Sequence, residues 1–268
     1  QGSTMVPEPV FDVPTVLQRV SEESISMLPG PPTLYLSILN HPNRDDYDLS
    51  SLRLAVTGAA AVPVEMINRM RTELTFETIL TAYGLTESTG TVSMCRPGDD
   101  PEIISSTSGR AIPDVEVRIV GGDNQELSCG EQGEIVVRGY NVTQGYFEDP
   151  HATKEAIDSD GWLHTGDIGV MDAEGNIDIT DRLKDMFIVG GFNAYPAEIE
   201  NSLVSHPAIA HVAVVGVPDE RMGEVGHAFV VLRPGETVGA DEVVAWCRDQ
   251  MANYKVPRHV FIVDELPL

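Results

Sequence analysis

Thr86 and Glu87 stand side by side after an apolar run, and a hydroxyl beside a carboxylate at a strand end can hold a phosphate oxygen and a Mg2+ ion together. The pair equally suits a helix start, with Thr86 as N-cap and Glu87 favourable to the dipole. Further on, "GWLHTGDIG" sets Asp167 after Thr165 and Gly166. A carboxylate in a tight turn there can accept both hydroxyls of a ribose, and a plain Gly-Asp turn is the competing reading. Arg182 offers a planar fork for phosphate or ribose oxygens, or an ordinary surface ion pair. Gly190 and Gly191 let backbone approach a ligand or line a narrow channel, or they form a turn between strand and helix. The seven histidines, His164 included, show no spacing that joins them into a site, so no transition metal is expected.

Three textures must position these residues. From Pro14 to about Gly90 helical and extended segments alternate, as in α/β architecture. "LRLAVTGAA" reads as a buried strand over residues 52–56 feeding a small-residue turn at Gly58, Ala59 and Ala60. "VEMINRMRTEL" has helical spacing through Met66, Ile67, Met70 and Leu74, and "FETILTAYGLTES" is a second strand running into Thr86 and Glu87. Ligands of open α/β sheets sit at such strand ends. From Arg96 to Thr180 the pattern becomes all-β, with "VEVRIV", "GEIVVRG" and "GNIDIT" between turn residues, which predicts a small barrel or curled sheet. After Lys184 comes an α+β unit: "AEIENSLVSH" as a helix with Pro196 near its first turn, "HVAVVGV", "GHAFVVL" and "HVFIVD" as strands, "ADEVVAWCRDQM" as a helix. Glu198 and Glu200 are placed in the first turn of the helix that Pro196 opens.

The 268 residues carry 17 Lys and Arg against 42 Asp and Glu, a formal charge of −25 that disfavours a nucleic-acid partner. Cys95, Cys129 and Cys247 offer neither a disulfide framework nor a Cys-x-x-Cys metal site, which favours a reducing cytoplasm. No apolar run approaches the roughly 20 residues that span a bilayer, so no transmembrane segment is expected. The opening "QGSTMVPEPV" and the closing "VDELPL" both read as cuts rather than natural termini.

In chain order, "AYGLTES", "GEIVVRGYNVTQGYF", "GWLHTGD", "DRLKDMFIVGGFNAYPAEIE" and "ANYKVPRHVFIVDELP" resemble the motif succession of the adenylate-forming superfamily, which holds acyl-CoA synthetases, aryl-CoA ligases, luciferases and peptide-synthetase adenylation domains. The resemblance runs essentially the whole length. It is nearest to bacterial fatty-acyl or carboxylate CoA ligases, and "LPGPPTLY" with "VGGFNAYPAEIE" looks like an actinobacterial branch that includes a ligase for steroid-ring propionate side chains. The implied fold is α/β and α+β, multidomain: the C-terminal part of the large adenylate-forming domain, as an α/β subdomain over residues 1–97 and a β-barrel-like subdomain over 98–180. A hinge over 181–184 and a small mobile α+β domain over 185–268 follow.

The implied chemistry joins a small-molecule carboxylic acid to ATP, releasing pyrophosphate, and then lets the CoA thiol displace AMP. By resemblance, Gly58, Ala59 and Ala60 with Thr81, Ala82 and Tyr83 cradle adenine, the Tyr83 ring packing on the base. Thr86 contacts phosphate and Glu87 the Mg2+; Asp167 holds the ribose hydroxyls, Ile179 lies against the sugar, and Arg182 reaches ribose or phosphate oxygens. Gly84, which leaves room, and Thr89, Gly90 and Val92 are candidates for one wall of the acyl pocket. Lys184 falls on the family's hinge position, and Gly190, Gly191 and Phe192 line the path of the pantetheine arm. Ile188 and Gly190 stand where plant aryl-CoA ligases tend to carry lysines, which favours an acyl-type substrate, fatty or steroid-derived.

Two departures stand out. The family's Gly-, Ser- and Thr-rich phosphate loop is absent from this sequence, and the lysine that assists adenylation normally follows "VDELP", beyond which only Leu268 remains; Lys255 is not its replacement. The 268 residues alone are therefore expected to be inactive in adenylation, while the parent protein is a ligase. Two other readings stay open: an adenylation domain that loads a carrier protein, and a catalytically silent nucleotide- or CoA-binding module. A monomer or homodimer is expected from the relatives.

Overall fold

A computed structural model describes residues 2–58 and 62–266 of the chain. Two compact units divide it: one of Gln1–Glu131, Val136–Thr165 and Val170–Asp178, the other of Gln132–Ile135, Gly166–Gly169 and Ile179–Leu268.

The first unit is built on a sheet of order β1-β2-β3-β4-β5: β1 (Met27–Pro29), β2 (Leu54–Gly58), β3 (Thr78–Tyr83), β4 (Ser93–Met94) and β5 (Arg110–Ala111). The first three pair in parallel and the last two turn back antiparallel. The strand expected over residues 52–56 lies two residues later, because Leu52 amide closes a turn onto the Leu49 carbonyl before the ladder begins. Helices α1 (Val13–Glu23), α2 (Pro32–Leu39) and α3 (Val64–Glu73) add their apolar stripes, with Leu17, Val20, Ile38, Ile67 and Met70 buried in one core. Removing a side chain as buried as Leu17, 1% exposed, costs about 2–5 kcal/mol. Tyr35 meets Phe76 edge-on at 5.9 Å and donates its hydroxyl to Leu28 O at 2.6 Å, tying α2 to β1.

A four-stranded sheet of order β6-β7-β8-β9 follows: β6 (Val115–Val120), β7 (Gln132–Gly139), β8 (Leu163–Met171) and β9 (Ile177–Arg182). Residues 96–180 are not all-β, however. Helices α4 (Pro101–Ser106) and α5 (Pro150–Ala156) interrupt them, each opened by an Asp-Pro step. Proline is pre-shaped for the first helical position, and the Asp149 carboxylate accepts the Ala152 amide at 2.9 Å as an N-cap. Six or seven residues are too few for a helical period to show against neighbouring strands.

In the second unit β10 (Phe187–Val189) and β11 (Phe192–Ala194) form a hairpin. Long β12 (Ile209–Asp219) and β13 (Gly223–Leu232) pair antiparallel, with β14 (His259–Ile262) parallel to β13. Helices α6 (Pro196–Val204) and α7 (Ala240–Gln250) supply Ile199, Leu203, Val243 and Cys247 to the core. Gly216 and Gly226 sit opposite each other on β12 and β13, and side chains there would meet the Phe187 ring. The glycine pair is thus a slot that seats Phe187, 2% exposed, against the sheet. Among the described residues no helix is long and apolar enough to cross a membrane.

Candidate functional site

The loop that leaves β3 carries the first group. Thr86–Ser88 is a 3-10 turn whose N-cap is Leu85, not Thr86; Ser88 Oγ accepts the Leu85 amide at 3.1 Å and donates to its carbonyl at 3.0 Å. Thr86 is therefore released from the capping role and lies exposed at the start of the turn. Glu87 is half-buried and doubly held: its carbonyl accepts the Thr143 amide at 2.7 Å, and its Oε1 accepts the Tyr146 hydroxyl at 2.8 Å. The bond to that carboxylate pushes the Tyr146 phenol upward. Thr89 Oγ1 donates to Asn141 O at 2.8 Å and Asn141 Nδ2 to Thr91 O at 2.9 Å, so residues 141–146 lace the whole loop in place. Neither Asn141 nor Tyr146 is marked by its spacing in the sequence, because their partners lie 50 to 59 residues away.

The neighbouring candidates divide. Thr81 is buried, and its hydroxyl binds the Ile104 carbonyl at 3.1 Å, the Thr107 carbonyl at 2.9 Å and the Cys95 sulfur at 2.9 Å, which commits that side chain to anchoring α4. Gly58 is the last residue of β2, and a side chain on it would strike the Ala82 carbonyl. Gly84 is exposed, and a side chain on it would strike the Gly90 carbonyl and the Thr91 amide. Both glycines thus serve close backbone approach. Val92 is fully buried and Tyr83 is 9% exposed, whereas Thr89 and Gly90 are exposed with φ of 56° and 86°. Ala59 and Ala60 lie outside the described residues.

The second unit brings Asp167 and Arg182 together. Asp167 is not in a turn but within β8, its side chain 7% exposed, and Arg182 ends β9, the next strand of the sheet. Arg182 Nε lies 3.1 Å from Asp167 Oδ1. A buried carboxylate is costly unless paired, and this arginine, 59% exposed, offsets it while staying open to solvent. Gly166, at φ 70°, donates its amide to Glu134 Oε1 at 3.0 Å just before Asp167. Ile179 lies half-buried on β9.

Beyond β9, Lys184 is exposed in the 3-10 turn Leu183–Asp185. Asp181, the first residue of the expected hinge, is buried and accepts the Arg182 amide at 2.7 Å and the Ala197 amide at 2.8 Å. Burial raises its carboxyl, and the nearby Asp185 and Glu198 charges add to that. Only Glu198 is in the first turn of α6; Glu200 is a turn further on and accepts the Val214 amide at 2.7 Å, so it joins α6 to β12 rather than meeting the helix end. Gly190 and Gly191, at φ 58° and 90°, make a two-residue hairpin turn between β10 and β11, not a turn into a helix. Phe192 beyond them is 60% exposed and stacks on Tyr254 at 5.0 Å.

The profile of the AMP-binding enzyme family matches residues 1–147, and that of the AMP-binding enzyme C-terminal domain matches residues 198–268. The chain belongs to the AMP-binding enzyme family. It is 59% identical, over 99% of its length and 50% of the relative's, to the 3-[(3aS,4S,7aS)-7a-methyl-1,5-dioxo-octahydro-1H-inden-4-yl]propanoyl:CoA ligase of Rhodococcus jostii, and 52% identical to the enzyme of that name from Mycobacterium tuberculosis over the same shares. The chain therefore spans about half the length of the curated relatives it matches. Among solved structures it resembles the o-succinylbenzoate CoA synthetase of Bacillus subtilis in complex with its acyl-adenylate intermediate, with a TM-score of 0.79 and 34% identity over 96% of this chain and 51% of that one. The family and fold implied by the five motifs are thereby established.

Proposed function

We propose that the protein carrying this chain is an ATP-dependent carboxylate–CoA ligase that forms an acyl-adenylate and then the CoA thioester. The observation that carries this reading is the match to named CoA ligases across 99% of the chain. The ring-propionate names of those relatives support a steroid-derived acid as substrate, and ATP and CoA supply points to the cytoplasm.

A carboxylate is a poor electrophile until its oxygen is made part of a leaving group. In the proposed chemistry Asp167 accepts the ribose hydroxyls and Arg182 turns its exposed fork to ribose or phosphate oxygens, with Ile179 against the sugar. The exposed Thr86 hydroxyl donates to a phosphate oxygen. Glu87 would hold Mg2+, which when bound offsets phosphate charge. Tyr146 occupies Oε1 and leaves Oε2, and among the described residues no three His, Cys, Asp or Glu converge on one point. One carboxylate with phosphates and water is a donor set that suits Mg2+. Ala82 and Tyr83 remain proposed neighbours of the base, and Thr89 and Gly90 the accessible part of the acyl wall. Lys184 serves as the pivot, and the hairpin tip Gly190, Gly191 and Phe192 borders the thiol's path.

Acid-dependent ATP–pyrophosphate exchange by the full-length protein tests the first half-reaction. Exchange that falls at least tenfold in Glu87→Gln and Asp167→Ala supports these roles; exchange unchanged in both contradicts them.

A further inference from the structure

We propose that Tyr146 is a positioning residue for the proposed metal-binding carboxylate: its hydroxyl holds Glu87 Oε1 and leaves Oε2 to the cation. The inference rests on the metal role proposed for Glu87 and adds a residue to it. The loop's main chain is already fixed without Tyr146, because Thr143 amide binds Glu87 O at 2.7 Å and Asn141 bridges Thr89 and Thr91. What those bonds leave free is the Glu87 side chain, and the 2.8 Å bond from Tyr146 fixes it. Tyr146 is 42% exposed and comes from 59 residues further along the chain, so the contact is not a by-product of core packing. A phenol is also the right kind of partner. An arginine or lysine would neutralise the carboxylate, whereas a neutral O–H orients it and leaves its charge for a cation.

The test uses the full-length protein saturated with a non-hydrolysable ATP analogue, titrated with Mn2+ and read by the EPR signal of the free ion. Tyr146→Phe keeps the half-exposed ring and its packing, and its melting temperature should match the wild type. Its Mn2+ dissociation constant should rise about threefold to tenfold, below the usual span for outer-sphere partners because the bond is solvent-exposed. The double variant Glu87→Gln with Tyr146→Phe should bind no more weakly than Glu87→Gln alone. If Glu87→Gln weakens Mn2+ while Tyr146→Phe does not, or if the two losses multiply in the double variant, the positioning role of Tyr146 is overturned. If Glu87→Gln itself leaves Mn2+ affinity unchanged, the metal reading of Glu87 falls first, and Tyr146 with it.

Discussion

The Asp181 carboxylate accepts the amide of Ala197, sixteen residues along the chain, at 2.8 Å, and so ties the end of β9 to the first turn of α6 across the exposed Lys184. Its other oxygen accepts the Arg182 amide. Replacing Asp181 by Ala leaves two amides without their acceptor, at a cost of about 1–3 kcal/mol in urea unfolding. A destabilisation under half a kcal/mol would show that the clip is dispensable.

The same carboxyl makes a pH prediction. Burial raises its folded value and outweighs the Arg182 and Ala197 amide bonds that lower it, with the Asp185 and Glu198 charges adding to the rise, so its contribution is full below the unfolded value near 3.8 and lost as pH rises through the raised folded value. The melting temperature of wild type relative to Asp181→Asn should therefore be higher at pH 4 than at pH 7. A relative melting temperature that rises with pH would contradict the burial account.

Asp167 and Arg182 predict a split in substrate kinetics. Asp167→Asn removes a charged acceptor and should raise the KM for ATP about tenfold to a hundredfold in pyrophosphate exchange, with a smaller effect on the acid's KM. Arg182→Lys keeps the charge but loses the fork, and should fall between wild type and Arg182→Ala. Equal KM values for ATP in all four proteins would remove both residues from the nucleotide.

The Phe187 slot gives a stability ranking. A methyl at Gly216 strikes the Phe187 Cβ, which is close to the backbone and cannot move aside, while one at Gly226 meets the ring's far end at 3.1 Å. Gly216→Ala should cost about 1–3 kcal/mol and Gly226→Ala distinctly less. The reverse order in denaturant melts would show that the ring does not lie in this slot.

Alkylation of the folded protein should mark Cys129 first, because it is exposed while Cys95 and Cys247 are buried and burial pushes the Cys247 thiol up to about 11. Peptide mapping with equal labelling of all three at pH 8 would contradict that.

What was legible in the sequence follows from how local each signal is. Met66, Ile67 and Met70 repeat at helical spacing, and the α3 they predict lies at Val64–Glu73. The Asp-Pro steps that open α4 and α5 stand in the sequence, but helices of six and seven residues show no period beside the flanking strands. Gly190 and Gly191 gave the turn but not its exit, since β11 has only three residues. Among the site contacts, Tyr146 to Glu87 spans 59 residues and Asp167 to Arg182 joins two strands; no spacing rule reaches either. The direction of the Thr81 hydroxyl, inward to the Ile104 and Thr107 carbonyls, is equally beyond any local pattern.

The central claim is tested most directly by AMP release from ATP by the full-length protein, with and without CoA, across medium-chain, aryl and steroid-derived acids. The account predicts release that needs both the acid and CoA and is fastest with a ring-bearing propionate. AMP release that is indifferent to CoA with every acid would contradict it.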